Sequence, residues 1–209
     1  AKGIFDRFAA LCGILVFGPL MLLIAALVRG SDGGSAIFQQ ERVGKNEVPF
    51  SIFKFRSMRA ARKGAEMQVT ASGDSRITGV GRILRRTKLD ELPQLFNVVR
   101  GEMSFVGPRP EVPKYVAHYT PEQKCVLHVL PGLTDWATLR FRDEEGILAE
   151  ASDPESFYIE RILPTKIELS LDYLERATFR SDMHILWLTF LRILGIGEED
   201  NAQNLLKNR

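Results

Sequence analysis

Two adjacent carboxylates, Asp90 and Glu91, follow a run of cations at Arg82, Arg85, Arg86 and Lys88. Arg82, Arg85 and Arg86 stand at i, i+3, i+4, so a helix over this segment puts their guanidinium groups on one face. The combination suits phosphoryl chemistry. Arginines hold phosphate oxygens through bidentate hydrogen bonds, one carboxylate can bind Mg²⁺, and another can attack phosphorus to give an acyl phosphate. Plainer readings stand beside this one. Carboxylates just ahead of Pro93 complement the positive end of a helix dipole. An arginine cluster is also what a solvated basic face, or a face resting on anionic lipid headgroups, looks like. Composition alone does not decide between them.

Two further cations have defined settings. Arg109 lies between Pro108 and Pro110, and two fixed φ angles leave it on a stiff loop, which lowers the entropy lost when a guanidinium is ordered on a phosphate. A purely structural Pro-Arg-Pro turn is the alternative. Lys54 belongs to Phe50–Met58, a segment that reads as the second strand of a hairpin begun by Ala36–Val43, with Gly44-Lys45-Asn46 as the turn. The two-residue period puts Ile52, Lys54 and Arg56 on one face and Phe53 and Phe55 on the other.

These side chains need elements to position them. Residues 59 to 78 lack sustained periodicity and read as a short helix followed by a loop. From Val80 to Gly101 the apolar residues recur at helical spacing, with Pro93 interrupting, so two helices are expected to meet near Leu89–Leu92 and to leave Asp90 and Glu91 at their junction. Ser104-Phe105-Val106 reads as a short buried strand. Pro121–Leu130 and Pro154–Leu174 are expected helices, and Ile185–Leu194 suits either an interfacial helix carrying Trp187 and Phe190 or a buried core helix.

Phe8–Val28 carries no charge and is bounded by Arg7 and Arg29, long enough to be a membrane span. Gly18-Pro19 falls at its middle, and a bend there would make each half reach only about half the hydrocarbon thickness, so that the chain enters and leaves on one side. Lys2 and Arg7 before the segment and Arg29 after it fit both ends on the same leaflet. Span and re-entrant hairpin stay open on these residues, and a signal peptide is a third option.

The bulk properties are those of one folded domain with an appendage. The net charge of +2 conceals a basic stretch at Lys54, Arg56, Arg59, Arg62 and Lys63, suited to anionic partners. Cys12 and Cys125 are the only cysteines, which argues against a disulfide framework and fits a reducing compartment, and no Cys or His spacing indicates zinc. There is no internal repeat.

Three blocks, Lys54-Phe55-Arg56-Ser57-Met58, Leu89-Asp90-Glu91-Leu92-Pro93-Gln94-Leu95-Phe96-Asn97-Val98 and Gly101-Glu102-Met103-Ser104-Phe105-Val106-Gly107-Pro108-Arg109-Pro110, resemble the bacterial sugar transferase family, the small monotopic phosphoglycosyl transferases. The resemblance runs from the N-terminal segment to about residue 194. It implies a two-step reaction in which Asp90 attacks the sugar-bearing phosphate of a UDP-sugar, UMP leaves, and polyprenyl phosphate collects the phosphosugar. It also implies Glu91 as the partner of Asp90 near Mg²⁺, phosphate-binding roles for Lys54, Arg85 and Arg109, and Asp172 as a further acid. Two departures stand out: Gly18 precedes Pro19 where the family often has serine, and Asp135 follows Thr134 where it more often has glycine.

The resulting expectation is an α+β fold, mostly helical with a small antiparallel hairpin, plus an N-terminal re-entrant helix-break-helix. Its parts are a membrane hairpin over 1–29 broken at Gly18-Pro19, a catalytic domain over 30–194 and a tail over 195–209. The site is Asp90 and Glu91, catalytic and metal-binding, with Lys54, Arg85, Arg109 and Asp172 on substrate. The cofactor is Mg²⁺. The partners are a UDP-sugar, a polyprenyl (undecaprenyl) phosphate and a phospholipid bilayer at the cytoplasmic face of the bacterial inner membrane, with no nucleic acid and with room for a homo-oligomer. The competing class is a membrane-anchored module that binds anionic lipid or nucleic acid without reaction.

Overall fold

The computed structural model describes residues 2–59, 74–196, 202 and 206. They form two compact units: the first takes in 2–42, 49–59 and 75–104, the second 43–48, 74 and 105–196. The class is α+β, mostly helical with small two-stranded sheets.

In the first unit, α1 (Lys2–Asp32) is helical without interruption, Pro19 included. The helix-break-helix expected at Gly18 and Pro19 is therefore not an interruption of helical backbone. Proline removes one donor and crowds the preceding turn but leaves neighbouring turns free to stay helical. The helix ends at Gly33, whose φ of 75° is the left-handed conformation that closes many helices. Asp6, Ala10, Met21, Ile24 and Val28 are buried and recur at helical intervals, so one stripe of α1 packs on its own unit. The other faces leave Ile4, Phe8, Leu15, Val16, Leu22 and Leu23 mostly exposed.

The hairpin of β1 (Ile37–Val43) and β2 (Pro49–Phe55) forms as the alternation required. Phe55 joins Met21, Ile24, Val28 and Leu84 in the core of this unit, with Leu89 and Leu92 packed beside them. α2 (Gly79–Thr87) starts at Thr78, whose hydroxyl accepts the Gly81 N–H at 2.9 Å. α3 (Gln94–Arg100) ends at Gly101, φ 78°. The short helix and loop expected over 59–78 fall, for 60–73, outside the described residues.

β3 (Ser104–Val106), whose residues from Phe105 on belong to the second unit, pairs with β4 (Gly132–Thr134). They are followed or flanked by α4 (Pro113–Val116), α5 (Trp136–Arg140), α6 (Glu144–Ala149), α7 (Pro154–Phe157), α8 (Leu163–Arg176) and α9 (Phe179–Ile193). The expected helix at Pro121–Leu130 is instead a 3₁₀ stretch, Gln123–His128, closed by Val129 in extended conformation. Pro131 excludes helical backbone from the residue before it and so shortens the run. The expected helix from Pro154 is broken by a π-helical turn, Tyr158–Ile162. Pro164 can give no N–H to the preceding turn, and the wider π register just ahead of it absorbs that loss. The main core gathers Tyr115, Val126, Leu127, Phe141, Ile162 and Ile167, and a second cluster joins Val106, Leu139, Tyr173 and Ile185. On α9, Ile185 faces that core whereas Trp187 and Phe190, stacked 5.9 Å apart, are more than half exposed.

Candidate active site

The chain changes direction three times within seven residues. Lys88 ends α2 in the left-handed region at φ 57°, Leu89–Glu91 make a 3₁₀ turn, and Pro93 leads into α3. A lysine pays steric strain in that region, which makes the turn an unusual local choice. Its result is to carry Asp90 inward, 6% exposed, while Glu91 stays at the rim.

Asp90 Oδ1 is buried and has no hydrogen-bond partner. Burial pushes the Asp90 carboxyl above the ordinary 3.8, against the pull of Lys54, Lys88 and Arg85, and the neighbouring Glu91 adds to the rise. Glu91 Oε1 accepts from Lys54 Nζ at 2.9 Å, a partly buried ion pair between β2 and the 3₁₀ turn. Arg85, half-buried on α2, donates to Ser57 Oγ at 3.3 Å, while Arg82 and Arg86 are exposed. Gly81 makes that approach feasible: a Cβ there would stand 1.9 Å from the Ser57 carbonyl oxygen. Thus Asp90, Glu91, Lys54 and Arg85 all lie in the first unit, Arg85 near the acids along the chain as its spacing implied and Lys54 brought to Glu91 by the fold.

Arg109 and Asp172 belong to the second unit. The Arg109 loop is pinned to β4, where Gly132 N–H donates to the Pro108 carbonyl at 2.9 Å and Arg109 Nη1 donates to the Leu133 carbonyl at 3.3 Å. Beneath it lies a cavity of about 20 Å³ lined by Arg109, Glu111, Asp135, Lys166 and Ser170, a volume on the scale of one water molecule. Lys166, buried there, pairs with Glu144 at 2.9 Å and Glu111 at 3.6 Å and touches the Tyr158 hydroxyl at 3.3 Å. Burial pulls the Lys166 ammonium down, but Glu144 and Glu111 outweigh it and leave it above its usual value. Asp172 is exposed on α8. Asp135, the departure from the family pattern, caps α5: its Oδ1 accepts from the Thr138 N–H and hydroxyl at 2.7 Å each, and its Oδ2 accepts from Ser170 at 3.2 Å.

Two residues inside the Leu89–Val98 block received no role from the sequence. Gln94 is fully buried with neither amide atom hydrogen-bonded, and Asn97 is fully buried with all its bonds made. Helical spacing puts Gln94 on the same side as Asp90, but no composition signal distinguished either amide from core filler.

Among the described residues no group of three or more His, Cys, Asp or Glu is placed to hold a metal. Mg²⁺ needs fewer protein ligands, commonly one or two carboxylates completed by substrate phosphates. Asp90, with an unpartnered oxygen, and Glu91 beside it are a hard-oxygen set that fits such an ion.

The first unit thus combines a desolvated carboxylate near lysine and arginine with a helix long and apolar enough to cross a membrane, features that a membrane-associated transferase combines. The chain belongs to the bacterial sugar transferase family, whose pattern it matches over residues 1–195. It is 39% identical over 203 residues to the UDP-glucose:undecaprenyl-phosphate glucose-1-phosphate transferase of Xanthomonas campestris pv. campestris, covering 93% of this chain and 39% of that protein. It is 37% identical over 192 residues to the UDP-N-acetylgalactosamine-undecaprenyl-phosphate N-acetylgalactosaminephosphotransferase of Aeromonas hydrophila, covering 90% and 42%. A UDP-glucose:undecaprenyl-phosphate glucose-1-phosphate transferase of Caulobacter vibrioides is 35% identical over 204 residues, covering 96% and 71%. The chain thus spans less than half the length of the first two relatives.

Proposed function

We propose that this chain catalyses transfer of a sugar 1-phosphate from a UDP-sugar to undecaprenyl phosphate, with release of UMP, through a phosphosugar held on Asp90. One observation carries the reading: a carboxylate with a buried, unpartnered oxygen beside the Lys54–Glu91 pair and Arg85. The names of the relatives supply the substrate class.

In the first step an Asp90 oxygen attacks the sugar-bearing phosphorus. A P–O bond forms, the bond from that phosphorus to the bridging oxygen breaks, and the bridging oxygen leaves with UMP. In the second step an oxygen of the polyprenyl phosphate attacks the same phosphorus, the acyl-phosphate bond breaks, and the Asp90 carboxylate is restored. Burial makes Asp90 a stronger base and nucleophile, while Lys54, Lys88 and Arg85 favour its ionised form. Lys54 and Arg85 bind phosphate oxygens at the same site, and Arg109 serves a phosphate from its stiff loop. Mg²⁺, held by Asp90 and Glu91, would supply positive charge to the diphosphate.

The packing of α1 supports attachment to a single membrane leaflet, which we assign to the cytoplasmic face of the inner membrane. Near its N-terminus Ser104 donates to Asp6 at 2.7 Å and the Arg7 guanidinium abuts Gly101; near its C-terminus Met21, Ile24 and Val28 pack with Phe55 and Leu84. Both halves therefore hold the same unit. A straight crossing would draw that unit's cations and carboxylates toward the hydrocarbon, at roughly 2.5–3.5 kcal/mol for each charge at the centre. A dip into one leaflet, bent at Pro19, leaves them at the headgroups.

The test is release of UMP from a panel of UDP-sugars, with undecaprenyl phosphate and Mg²⁺ supplied in detergent. The expected result is turnover with at least one donor and a radiolabelled phosphosugar adduct that Asp90→Asn lacks. An adduct retained in that variant would overturn the assignment of the nucleophile, and no UMP from any donor would favour a non-catalytic lipid-binding module.

A further inference from the structure

β2 has β1 on one edge. The edge that β1 leaves is covered at its middle by a side chain: Asn97 Oδ1 accepts the Phe53 N–H at 3.1 Å, and Asn97 Nδ2 donates to the Ser51 carbonyl at 2.8 Å. These are the two bonds that one residue of a parallel neighbouring strand would make, supplied by a carboxamide. Asn97 Nδ2 also donates to Glu102 Oε2 at 2.7 Å, which fixes which end of the amide faces which strand group. Arg100, one turn on, lies 4.7 Å from the Phe53 ring centroid. The residue after Phe53 is Lys54, whose ammonium reaches Glu91 on the helical path leading into α3. Two sets of bonds therefore join the same pair of segments, one at Asn97 and one at the reacting centre.

We propose that Asn97 is a positioning residue that fixes the register of β2 against residues 89–100 and thereby holds Lys54 on Glu91 beside Asp90. The proposal rests on the functional reading given above for those three residues. The chemistry is specific to asparagine. Aspartate lacks the donor for Ser51 and repels Glu102, leucine has neither donor nor acceptor, and glutamine is a methylene too long for a fully buried site. A shift of about 1 Å between strand and turn is enough to weaken a positioned charge and to slow a positioned reaction by up to about a hundredfold.

The experiment uses the full chain in detergent, with Asn97→Ala, Lys54→Ala and the double variant, and reads amide hydrogen exchange at Phe53 together with UMP release. The expected result is exchange at Phe53 faster by about tenfold or more, with Ile162 and Ile167 in the second unit unchanged. The loss of kcat/KM for Asn97→Ala should be about tenfold in the native background and within about threefold of nothing in the Lys54→Ala background, because the two residues act through one interaction. Equal losses in both backgrounds would make Asn97 a general stability residue and overturn the proposal, as would unchanged exchange at Phe53. Should Asn97→Ala fail to fold, Asn97→Asp replaces it, keeping the acceptor for Phe53 and losing the donor to Ser51. Exchange at that amide stands apart from turnover, so an inactive native chain would sink the functional reading while the strand register was still read directly.

Discussion

Replacing Asp90 by asparagine is expected to abolish turnover and to stabilise the fold, and the second effect depends on pH in a direction the site dictates. The carboxyl is 6% exposed with Oδ1 lacking a partner, and burial raises its pKa above 3.8 more than Lys54, Lys88 and Arg85 lower it. The folded chain thus holds this proton more tightly than the unfolded chain. The stability from that difference is fully present below about pH 3.8 and is lost as pH rises through the folded-state pKa. Above the folded-state pKa the native protein carries an incompletely solvated charge that the amide does not. An unsatisfied buried acceptor costs about 1–3 kcal/mol. The unpaired oxygen persists in the amide and three cations offset part of the charge, so the gain is at the lower end, about 1 kcal/mol, or roughly 2–4 °C in a chain of this size. Thermal unfolding in EDTA should show the variant melting higher at pH 7 and the two converging near pH 4, with UMP release abolished. Adding Mg²⁺ should raise the native melting temperature and narrow the gap, since an ion that binds the folded site stabilises it by mass action. Equal melting at pH 7, or the same gap at both pH values, would refute the desolvation argument.

Other outcomes follow from single contacts. Lys54→Met leaves Glu91 without its 2.9 Å partner in a partly exposed setting, so unfolding in urea should show a loss of about 1–2 kcal/mol and UMP release should fall by about a hundredfold. Gly81→Ala puts a Cβ 1.9 Å from the Ser57 carbonyl oxygen, and a loss of about 1–3 kcal/mol with displaced Arg85 should appear as a lower melting temperature and weaker donor binding. Lys166→Met strips the buried partner from Glu111 and Glu144, and about 3–5 kcal/mol of destabilisation should show as poor expression or early unfolding of the second unit. Cysteines introduced at residues 2 and 31 should label from the same side of sealed vesicles, and opposite-side labelling would mean a true span.

What could be read beforehand was what local pattern encodes. Two-residue alternation gave the β1–β2 hairpin, and Pro93 with helical periodicity gave the junction that holds Asp90 and Glu91. Charge type and spacing picked out Arg85 as a cation near the acids, whereas Lys54, 37 residues before Glu91, was tied to them only by the family resemblance. Backbone competition was harder to see, as in the 3₁₀ stretch at Gln123–His128 and the π turn before Pro164, because the outcome depends on how prolines and core residues share a turn. Asn97 was invisible for a related reason. A buried amide has the same helical period as its apolar neighbours, and its partners, Ser51 and Phe53, are backbone groups far away in sequence.

Three unfavourable features fall within seven residues: Lys88 at a left-handed φ of 57°, a buried Asp90 with an unpartnered oxygen, and a buried Gln94 whose amide is unsatisfied at both atoms. Each is worth roughly 1–3 kcal/mol against folding, and a sequence shaped for stability alone avoids all three. Around them the structure is over-determined. Asn97 clamps the strand edge, Gly81 lets α2 close on Ser57, and Asp6 with Arg7 secures α1 against the end of α3. That contrast, local strain held in place by dense satisfied contacts, is what a preorganised anionic nucleophile requires. Its charge must be kept from water before the substrate arrives, and the cost of doing so must be met by the surrounding scaffold.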